Sequence, residues 1–296
     1  MEVSLRRRGP GATPARAAAM PRLRVWPAER LLLHEEADAD RAGRLADALR
    51  RDGVLRNPPI VAPLEDGRAV VLDGANRVTA LRALGLPHVV VQPVAYDDPN
   101  VRLSVWRHYA AEDAPGALRA AVSAAGLGST APVEGEAGAE SQIAAGGLAA
   151  VVDARGGVVL RRAGRPAAGR HEIAAARAEA LSRLAALYRD GRAVHRVEGG
   201  ALDELRAAYG RGALVFFRRF DKSDILDLAI AGGRLPAGIT RHVIPGRALR
   251  VNTPLAWLAD GIDLGVKQAA LDAQLQQRWQ AHGVRYYAEP TFLFDE

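Results

Sequence analysis

The stretch of residues 70–85, Val-Val-Leu-Asp-Gly-Ala-Asn-Arg-Val-Thr-Ala-Leu-Arg-Ala-Leu-Gly, places the strongest constraint on the fold. Its first four residues predict a buried strand that ends at Asp73, and Gly74 turns the chain. The next residues carry apolar side chains at helical spacing, and Gly85 predicts the end of a helix. A strand that runs directly into a helix leaves the first backbone N–H groups of that helix without partners. The stretch therefore predicts a site for phosphate or carboxylate at the helix start.

Polar side chains of the same stretch suit such an anion site. Gly74 lets the backbone approach an anion closely, and Arg77 offers a forked pair of donors. Asn76 and Thr79 add neutral hydrogen-bonding groups. The alternative is a capped helix, in which Asp73 satisfies backbone donors and Arg77 is a solvated surface residue.

The motif Asp73-Gly-Ala-Asn-Arg77, followed by Thr79 and a Leu-Gly ending, resembles the signature of the ParB/sulfiredoxin-like superfamily. It is most similar to the branch of free L-serine kinases. The resemblance implies that this strand–turn–helix unit holds nucleotide phosphates. The chain departs from that pattern at one residue, where Ala75 replaces a polar position. The residues implied to surround the phosphates are Gly74, Ala75, Asn76, Arg77 and Thr79.

A second likeness lies in His34-Glu35-Glu36, which precedes the first predicted helix. In the serine-kinase branch a Leu-x-x-His-Glu-Glu sequence precedes the first helix, and an acidic residue there acts on the substrate hydroxyl. The resemblance implies that Glu35 is the catalytic base, with Glu36 as second choice. The alternative is that both glutamates only favour the positive end of the helix. Asp73 is a third catalytic candidate and a candidate magnesium ligand, because Mg²⁺ prefers carboxylate and phosphate oxygens.

The segment 235–250 contains a Gly-Ile-Thr-Arg-His block that resembles a substrate-pocket loop of the same branch. Arginine can pair with a carboxylate or phosphate in a fork, while the threonine hydroxyl and histidine ring offer further polar contacts. The alternative is a turn with an ion pair at the surface, which contributes little. A tryptophan earlier in the chain is predicted as one wall of the pocket. The predicted substrate-binding residues are Trp106, Thr240, Arg241, His242 and Arg247.

The pattern of predicted elements divides the chain into four parts. Residues 1–22 are rich in Arg, Ala, Gly and Pro and predict a disordered tail, within which Met20 is an alternative start. Residues 23–112 predict the ParB/sulfiredoxin-like nucleotide-binding domain. Residues 113–147 predict a helix and then a flexible loop of small residues. Residues 148–296 predict an α+β region that completes a substrate pocket and ends with a strand over 285–294.

Composition excludes several classes of function. The chain of 296 residues has no cysteine, which excludes disulfides and thiolate chemistry and makes a reducing cytoplasm the expected compartment. No apolar run is long enough to span a membrane. The net charge is +6, and the first 22 residues carry +4 of it, so the charge argument for nucleic acid is weak. There is no P-loop motif, and no metal-cage spacing stands out.

These features together predict an α+β protein with a ParB/sulfiredoxin-like N-terminal domain and a mixed α/β C-terminal region. The resemblance implies a phosphotransferase that moves phosphate from ATP or ADP to the alcohol group of free L-serine, giving O-phospho-L-serine, with Mg²⁺. The predicted partners are an amino acid and a nucleotide, with no membrane and with nucleic acid not favoured. The alternative is a ParB-like DNA-binding or nucleotide-responsive regulator. A third reading is a catalytically inactive ligand-binding module.

Overall fold

A computed structural model describes residues 20–162, 169–189, 192–259 and 262–287. The helices of the described residues are α1 (Ala39–Asp52), α2 (Ala75–Ala83), α3 (Ala117–Ala124), α4 (Gly135–Ala144), α5 (Arg170–Arg189), α6 (Leu202–Tyr209), α7 (Lys222–Ile230) and α8 (Leu264–Gln280). The strands are β1 (Arg24–Pro27), β2 (Leu31–Leu33), β3 (Val54–Leu55), β4 (Ile60–Pro63), β5 (Ala69–Asp73), β6 (His88–Pro93), β7 (Arg102–Val105), β8 (Arg107–Ala111), β9 (Gly128–Val133), β10 (Ala149–Asp153), β11 (Gly156–Arg162), β12 (Val194–Val197), β13 (Gly212–Phe217), β14 (Thr240–Val243) and β15 (Thr253–Pro254). Fold class is as predicted: helices and sheets are mixed along the chain.

The first sheet has the strand order β1-β6-β4-β5-β2. Its outer pair β2 and β5 is parallel, with Leu33 opposite Val71, whereas β4 and β5 form an antiparallel hairpin. Valines of β5 and β6 are almost fully buried, as expected for central strands that read as continuous apolar runs. Helices α1 and α2 pack against each other beside this sheet.

The second sheet is antiparallel, with the order β12-β8-β13-β10-β11-β9. Alternate residues of β13 enter different cores: Val215 and Phe217 pack with α3, α5 and α7, while Leu214 and Phe216 pack with α4 and α6. Because helices cover both faces, the strand is buried along its whole length and reads as Gly-Ala-Leu-Val-Phe-Phe.

Two further two-stranded sheets pair segments that are distant in the sequence. Strand β14 pairs with β7, and β15 pairs with β3. Glu35 forms a bridge with Leu235, which extends β2 towards the C-terminal half. The chain then returns to the first sheet, where Leu258 and Leu271 join its core and Gln268 Oε1 accepts a hydrogen bond from Val25 N at 2.9 Å. The last part of the chain is therefore built into the first unit.

Local sequence signals account for both ends of α1. Asp38 caps α1 by accepting a hydrogen bond from Arg41 N, and Gly53 ends it in the left-handed conformation at φ 69°. The prediction of a flexible loop after α3 is wrong, because that part of the chain contains β9 and α4. Ala139 of α4 is fully buried. Small residues, which resemble a linker in sequence, here let a helix approach the second sheet closely.

The predicted disordered tail and the predicted terminal strand fall mainly on residues that the structure does not describe. Residues 1–19 of the predicted tail, and most of the predicted terminal strand, lie outside the described residues. Among the helices that the structure describes, none is long and apolar enough to cross a bilayer.

Candidate functional site

The candidate site lies at the edge of the first sheet where β2 and β5 end. These strands are parallel neighbours, so the residues that follow each of them leave the sheet on the same side. Glu35 follows β2 and Asp73 is the last residue of β5. Strand pairing, rather than sequence proximity, brings the two predicted catalytic carboxylates to one edge.

Glu35 is held by the loop that carries the Gly-Ile-Thr motif. Its Oε2 atom accepts from Gly238 N at 2.8 Å, and its Oε1 atom accepts from Thr240 N at 2.6 Å and from the Thr240 hydroxyl at 2.5 Å. These bonds fix the direction of the carboxylate. Since a carboxylate oxygen has two acceptor positions, Oε2 keeps one that these contacts do not fill.

His34 lies behind Glu35 and is buried. Its Nδ1 atom lies 2.6 Å from the Val71 carbonyl, which can only accept, so Nδ1 is the protonated nitrogen. The Nε2 atom lies 2.8 Å from the Thr240 hydroxyl. Burial lowers the pKa of His34, although the nearby carboxylates of Glu35 and Asp73 oppose this effect. With His34 neutral and Nδ1 protonated, Nε2 can only accept, so His34 and Glu35 compete for the single proton of the Thr240 hydroxyl.

His242 lies next to His34, with the two rings edge to face at 5.3 Å between centroids. Its Nε2 atom is 2.8 Å from the Tyr96 hydroxyl. Burial, reinforced by the neighbouring His34 ring, lowers the pKa of His242 to about 3. At neutral pH the ring is uncharged and serves as a hydrogen-bonding group. Burial also raises the pKa of Tyr96, so its hydroxyl keeps its proton.

Asp73 forms a charge cluster with two arginines. Arg77 Nη2 is 2.7 Å from Asp73 Oδ2, and Arg247 contacts the same oxygen. Burial alone would raise the pKa of Asp73, but the two guanidinium groups outweigh it and hold the pKa below its usual range. Arg77 also donates to the carbonyls of Asn57 and Pro58 at 2.7 and 3.0 Å. Arg77 is thus bound by protein groups, whereas Arg247 is the more exposed partner.

The start of α2 has the open geometry that the sequence predicts. Gly74 precedes the helix at φ 101°, and no side chain among the described residues caps it. The alternative in which Asp73 caps α2 is therefore wrong; the carboxylate pairs with arginines instead. Asn76 Oδ1 accepts from Asp38 N at 2.9 Å and joins the starts of α1 and α2. Two helix N-termini thus converge beside Asp73.

Other predicted residues point elsewhere or take no contact in this cluster. The Ser182 hydroxyl donates to Glu36 Oε1 at 3.2 Å, on the side of α5. Arg241 pairs with Glu198 and lies 4.7 Å above the centre of the Trp106 ring. Ala75 packs against the hydrophobic core of the first sheet, and Thr79 is half-buried on α2.

Two residues that were not predicted hold the loops of the site by hydrogen bonds to their backbone. His108 is not among the predicted site residues, yet it is fully buried and its Nε2 donates to the Gly238 carbonyl at 2.8 Å. Gln92 is a polar residue within the apolar run of β6. It donates to the Gly246 carbonyl at 2.9 Å and accepts from Ala248 N at 2.8 Å. A glutamine inside an otherwise apolar strand is the one signal that sequence offered.

Comparisons by sequence and by fold both find proteins that are named as serine kinases. No family model matches the chain. Over 86 residues it is 31% identical to the ATP-dependent L-serine kinase SbnI of Staphylococcus aureus, covering 29% of this chain and 33% of the relative. Over 79 residues it is 35% identical to an ATP-dependent L-serine kinase of Staphylothermus marinus, covering 26% and 31%. The matches thus span about a third of the length of these relatives.

Solved structures match over most of the chain. A C-terminally truncated SbnI from Staphylococcus aureus superposes with a TM-score of 0.65 at 21% identity, covering 88% of this chain and 97% of that one. A free serine kinase in complex with AMP gives 0.63 at 16% identity, covering 83% and 98%. The chain therefore has the fold of these α/β proteins. The predicted resemblance to the free L-serine kinase branch is confirmed, by sequence over the matched segments and by fold over most of the chain.

Proposed function

We propose that the protein is a small-molecule kinase that transfers phosphate from ATP or ADP to free L-serine and produces O-phospho-L-serine. The observation that carries this proposal is the meeting of Glu35 with the open start of α2 and Asp73 at one edge of the first sheet. A base for a hydroxyl and a site for phosphates must lie side by side for phosphoryl transfer. The names of the relatives agree with this chemistry.

The two halves of the chain would supply different parts of the site. We propose that residues 23–112 bind the nucleotide and that residues 148–296 form the substrate pocket, with 113–147 between them. The second part supports this role by supplying Thr240 to Glu35 and Arg247 to Asp73. The absence of cysteine agrees with a reducing cytoplasm as the place of reaction.

Glu35 would act as the general base. The substrate hydroxyl approaches the free acceptor position of Oε2 and passes its proton there as the oxygen attacks the terminal phosphorus. A new bond forms between the substrate oxygen and phosphorus, while the bond from phosphorus to the bridging oxygen of the nucleotide breaks. The departing nucleotide keeps that electron pair. Thr240 and Gly238 keep the carboxylate in position throughout.

The nucleotide phosphates would lie at the start of α2. The first-turn N–H groups that follow Gly74, including those of Ala75 and Asn76, face an anion there, and the helix dipole favours negative charge. Arg247 is 40% exposed, so it can turn from Asp73 to a phosphate. Arg77 is only 19% exposed and holds Asp73 and the Asn57 carbonyl, so its part is to position Asp73.

Mg²⁺ would arrive with the nucleotide. Among the described residues, no group of three His, Asp or Glu side chains is arranged to hold a metal ion. Asp73 fits as a single protein ligand, because both arginine contacts are to Oδ2 and leave Oδ1 available. One carboxylate plus phosphate oxygens is a common set for Mg²⁺. The ion would neutralise charge on the transferred phosphoryl group.

The test is phosphorus NMR of the purified protein with L-serine, Mg²⁺ and ATP, ADP or CTP in turn. We expect an O-phosphoserine signal with ATP or ADP. Glu35→Gln should lower the rate by about 100-fold to 10,000-fold, because a positioned base contributes that much. Glu36→Gln is the matched control and should retain most activity, since Glu36 faces Ser182.

No phosphoserine with any donor would overturn the kinase proposal. Salt-sensitive binding of a DNA probe in that case would instead favour the regulator. Equal losses of activity in the Glu35 and Glu36 variants would show that Glu35 is not the general base.

A further inference from the structure

Arg196 lies on β12 near the candidate base, and no described residue forms an ion pair with it. Among the residues that the structure describes, its guanidinium makes no hydrogen bond and no ion pair within 4 Å, and its side chain is exposed. The arginines next to it in the site are engaged: Arg189 donates to the Ala237 carbonyl, and Arg241 pairs with Glu198. A guanidinium that has no such partner is available to an anionic ligand.

The guanidinium of Arg196 lies against Gly238. A Cβ atom on Gly238 would lie 2.4 Å from Arg196 Nε, so a larger residue there would push the Arg196 side chain away. Arg196 is the register partner of His108 across the β12–β8 pair, and opposite residues of such a pair share a face. Both side chains therefore reach Gly238, His108 by its carbonyl hydrogen bond and Arg196 by packing.

Gly238 links Arg196 to the base. Its N–H donates to Glu35 Oε2, the oxygen that keeps an open acceptor position. The charges that act on Arg196 are those of Glu35, Arg41, Arg189 and Asp38, with Glu35 first among them. Arg196 is thus within electrostatic range of the base without pairing to it.

We propose that Arg196 binds the carboxylate of the amino-acid substrate while Glu35 receives its hydroxyl proton. This inference rests on the proposed function and adds the residue that selects a free amino acid. In L-serine the carboxylate is separated from the hydroxyl oxygen by two carbon atoms, so one molecule can reach a base and a neighbouring guanidinium at once. An alcohol without a carboxylate leaves Arg196 unpaired and binds less tightly.

The transferred phosphoryl group is the other oxyanion that Arg196 could contact. The two sources differ in what they depend on. A carboxylate contact is made by the substrate in its ground state and is lost with the substrate's carboxylate. A phosphoryl contact belongs to the transition state and is independent of the acceptor's carboxylate.

The test compares L-serine with L-serinamide, which keeps the hydroxyl and lacks the carboxylate, in wild type, Arg196→Met, Arg196→Lys and the control Arg44→Met. We expect Arg196→Met to raise KM for L-serine on the order of 10-fold to 100-fold, the range for a charge-assisted forked pair. KM for L-serinamide should change by less than about twofold. Arg196→Lys should recover part of the affinity for L-serine. Arg44, exposed on α1, should behave as wild type.

Other outcomes overturn the assignment. A similar fall of kcat for both acceptors would give Arg196 to the phosphoryl group, and unchanged kinetics for both would remove it from the site.

If wild type forms no phosphoserine, the proposed function fails, and binding of L-serine and L-serinamide is then measured by saturation-transfer NMR. L-serine binding that Arg196→Met abolishes would still support the carboxylate site. No binding, or binding that ignores the variant, would overturn it. Thermal denaturation of each variant separates these effects from misfolding.

Discussion

At the scale of single residues, two arginines share one carboxylate but differ in their surroundings. Arg77 is 19% exposed and also holds two backbone carbonyls, whereas Arg247 is 40% exposed and its one described side-chain contact is with Asp73. A guanidinium with several buried partners stabilises the fold, because its removal leaves those partners unsatisfied. An exposed pair contributes little to stability and remains available to a ligand.

We therefore expect Arg77→Lys and Arg247→Lys to separate stability from binding. Lysine cannot reach Asp73 and both carbonyls at once, so Arg77→Lys should lower the free energy of unfolding by about 2 kcal/mol. Arg247→Lys should lower it by less than about 1 kcal/mol and weaken ATP binding by several-fold. Urea denaturation and calorimetric titration with ATP measure the two quantities. If Arg77→Lys instead weakened ATP binding and Arg247→Lys lowered the free energy of unfolding, Arg77 rather than Arg247 would be the residue that binds the phosphates.

At the scale of elements, the crossing loop of residues 244–252 joins the two halves. The Gln92 side chain holds this loop on either side of Arg247: it donates to the carbonyl of Gly246 and accepts from the N–H of Ala248. Because a carbonyl only accepts and an N–H only donates, the orientation of the Gln92 amide is fixed. Asn57 Oδ1 accepts from Arg250 N at 2.9 Å and holds the next part of the loop.

We expect Gln92→Leu to release this loop. Two backbone groups lose their partner, which should cost about 2 kcal/mol of unfolding free energy, and Arg247 loses its fixed direction. The Arg247 Nε–H signal in nitrogen NMR should broaden or vanish, with Arg247→Lys used to assign it. Gln92→Glu keeps an acceptor for Ala248 N and should give an intermediate result. An unchanged Arg247 signal in Gln92→Leu would contradict the role of the clamp.

Across the whole molecule, three histidines lie at contacts between the N-terminal and C-terminal halves: His34 and His108 are buried, and His242 is half-buried. Burial lowers the pKa of His34, of His242 to about 3 and of His108 to about 4. For His108, the adjacent Arg189 and Arg196 act in the same direction, and the hydrogen bond to Gly238 opposes them. The junction of the two halves is therefore built for uncharged rings.

This arrangement predicts a loss of stability in acid. An unfolded histidine binds a proton near pH 6.5, whereas folded His108 does so only near pH 4, so protons favour the unfolded chain between these values. The free energy of unfolding should fall as pH drops through that window, with His108 contributing about 3 kcal/mol. His108→Gln should show a flatter dependence in urea denaturation from pH 7 to pH 4. Parallel slopes for both proteins would exclude His108 as a source.

Elements whose signals lie within a few neighbouring residues could be predicted from the sequence alone. Strand β5, Gly74 and α2 follow from an apolar run, a residue that accepts positive φ and helical spacing, all within a few residues. The cap at Asp38 and the stop at Gly53 have the same origin. The family resemblance also rests on such short motifs. Small-residue segments gave no comparable signal, which is why β9 and α4 were not predicted.

The pairing of the motif residues depends on the tertiary structure and could not be predicted from the sequence. Thr240 reaches Glu35 across 205 positions of sequence and Arg247 reaches Asp73 across 174, and neither pairing leaves a periodic trace. Arg196 has no motif around it; its position follows from the pairing of β12 with β8 and from the bare surface of Gly238. The division of the chain at residues 112 and 148 stays a prediction. Local chemistry fixes where a helix begins, but the partner of a charge depends on which distant segments the core brings together.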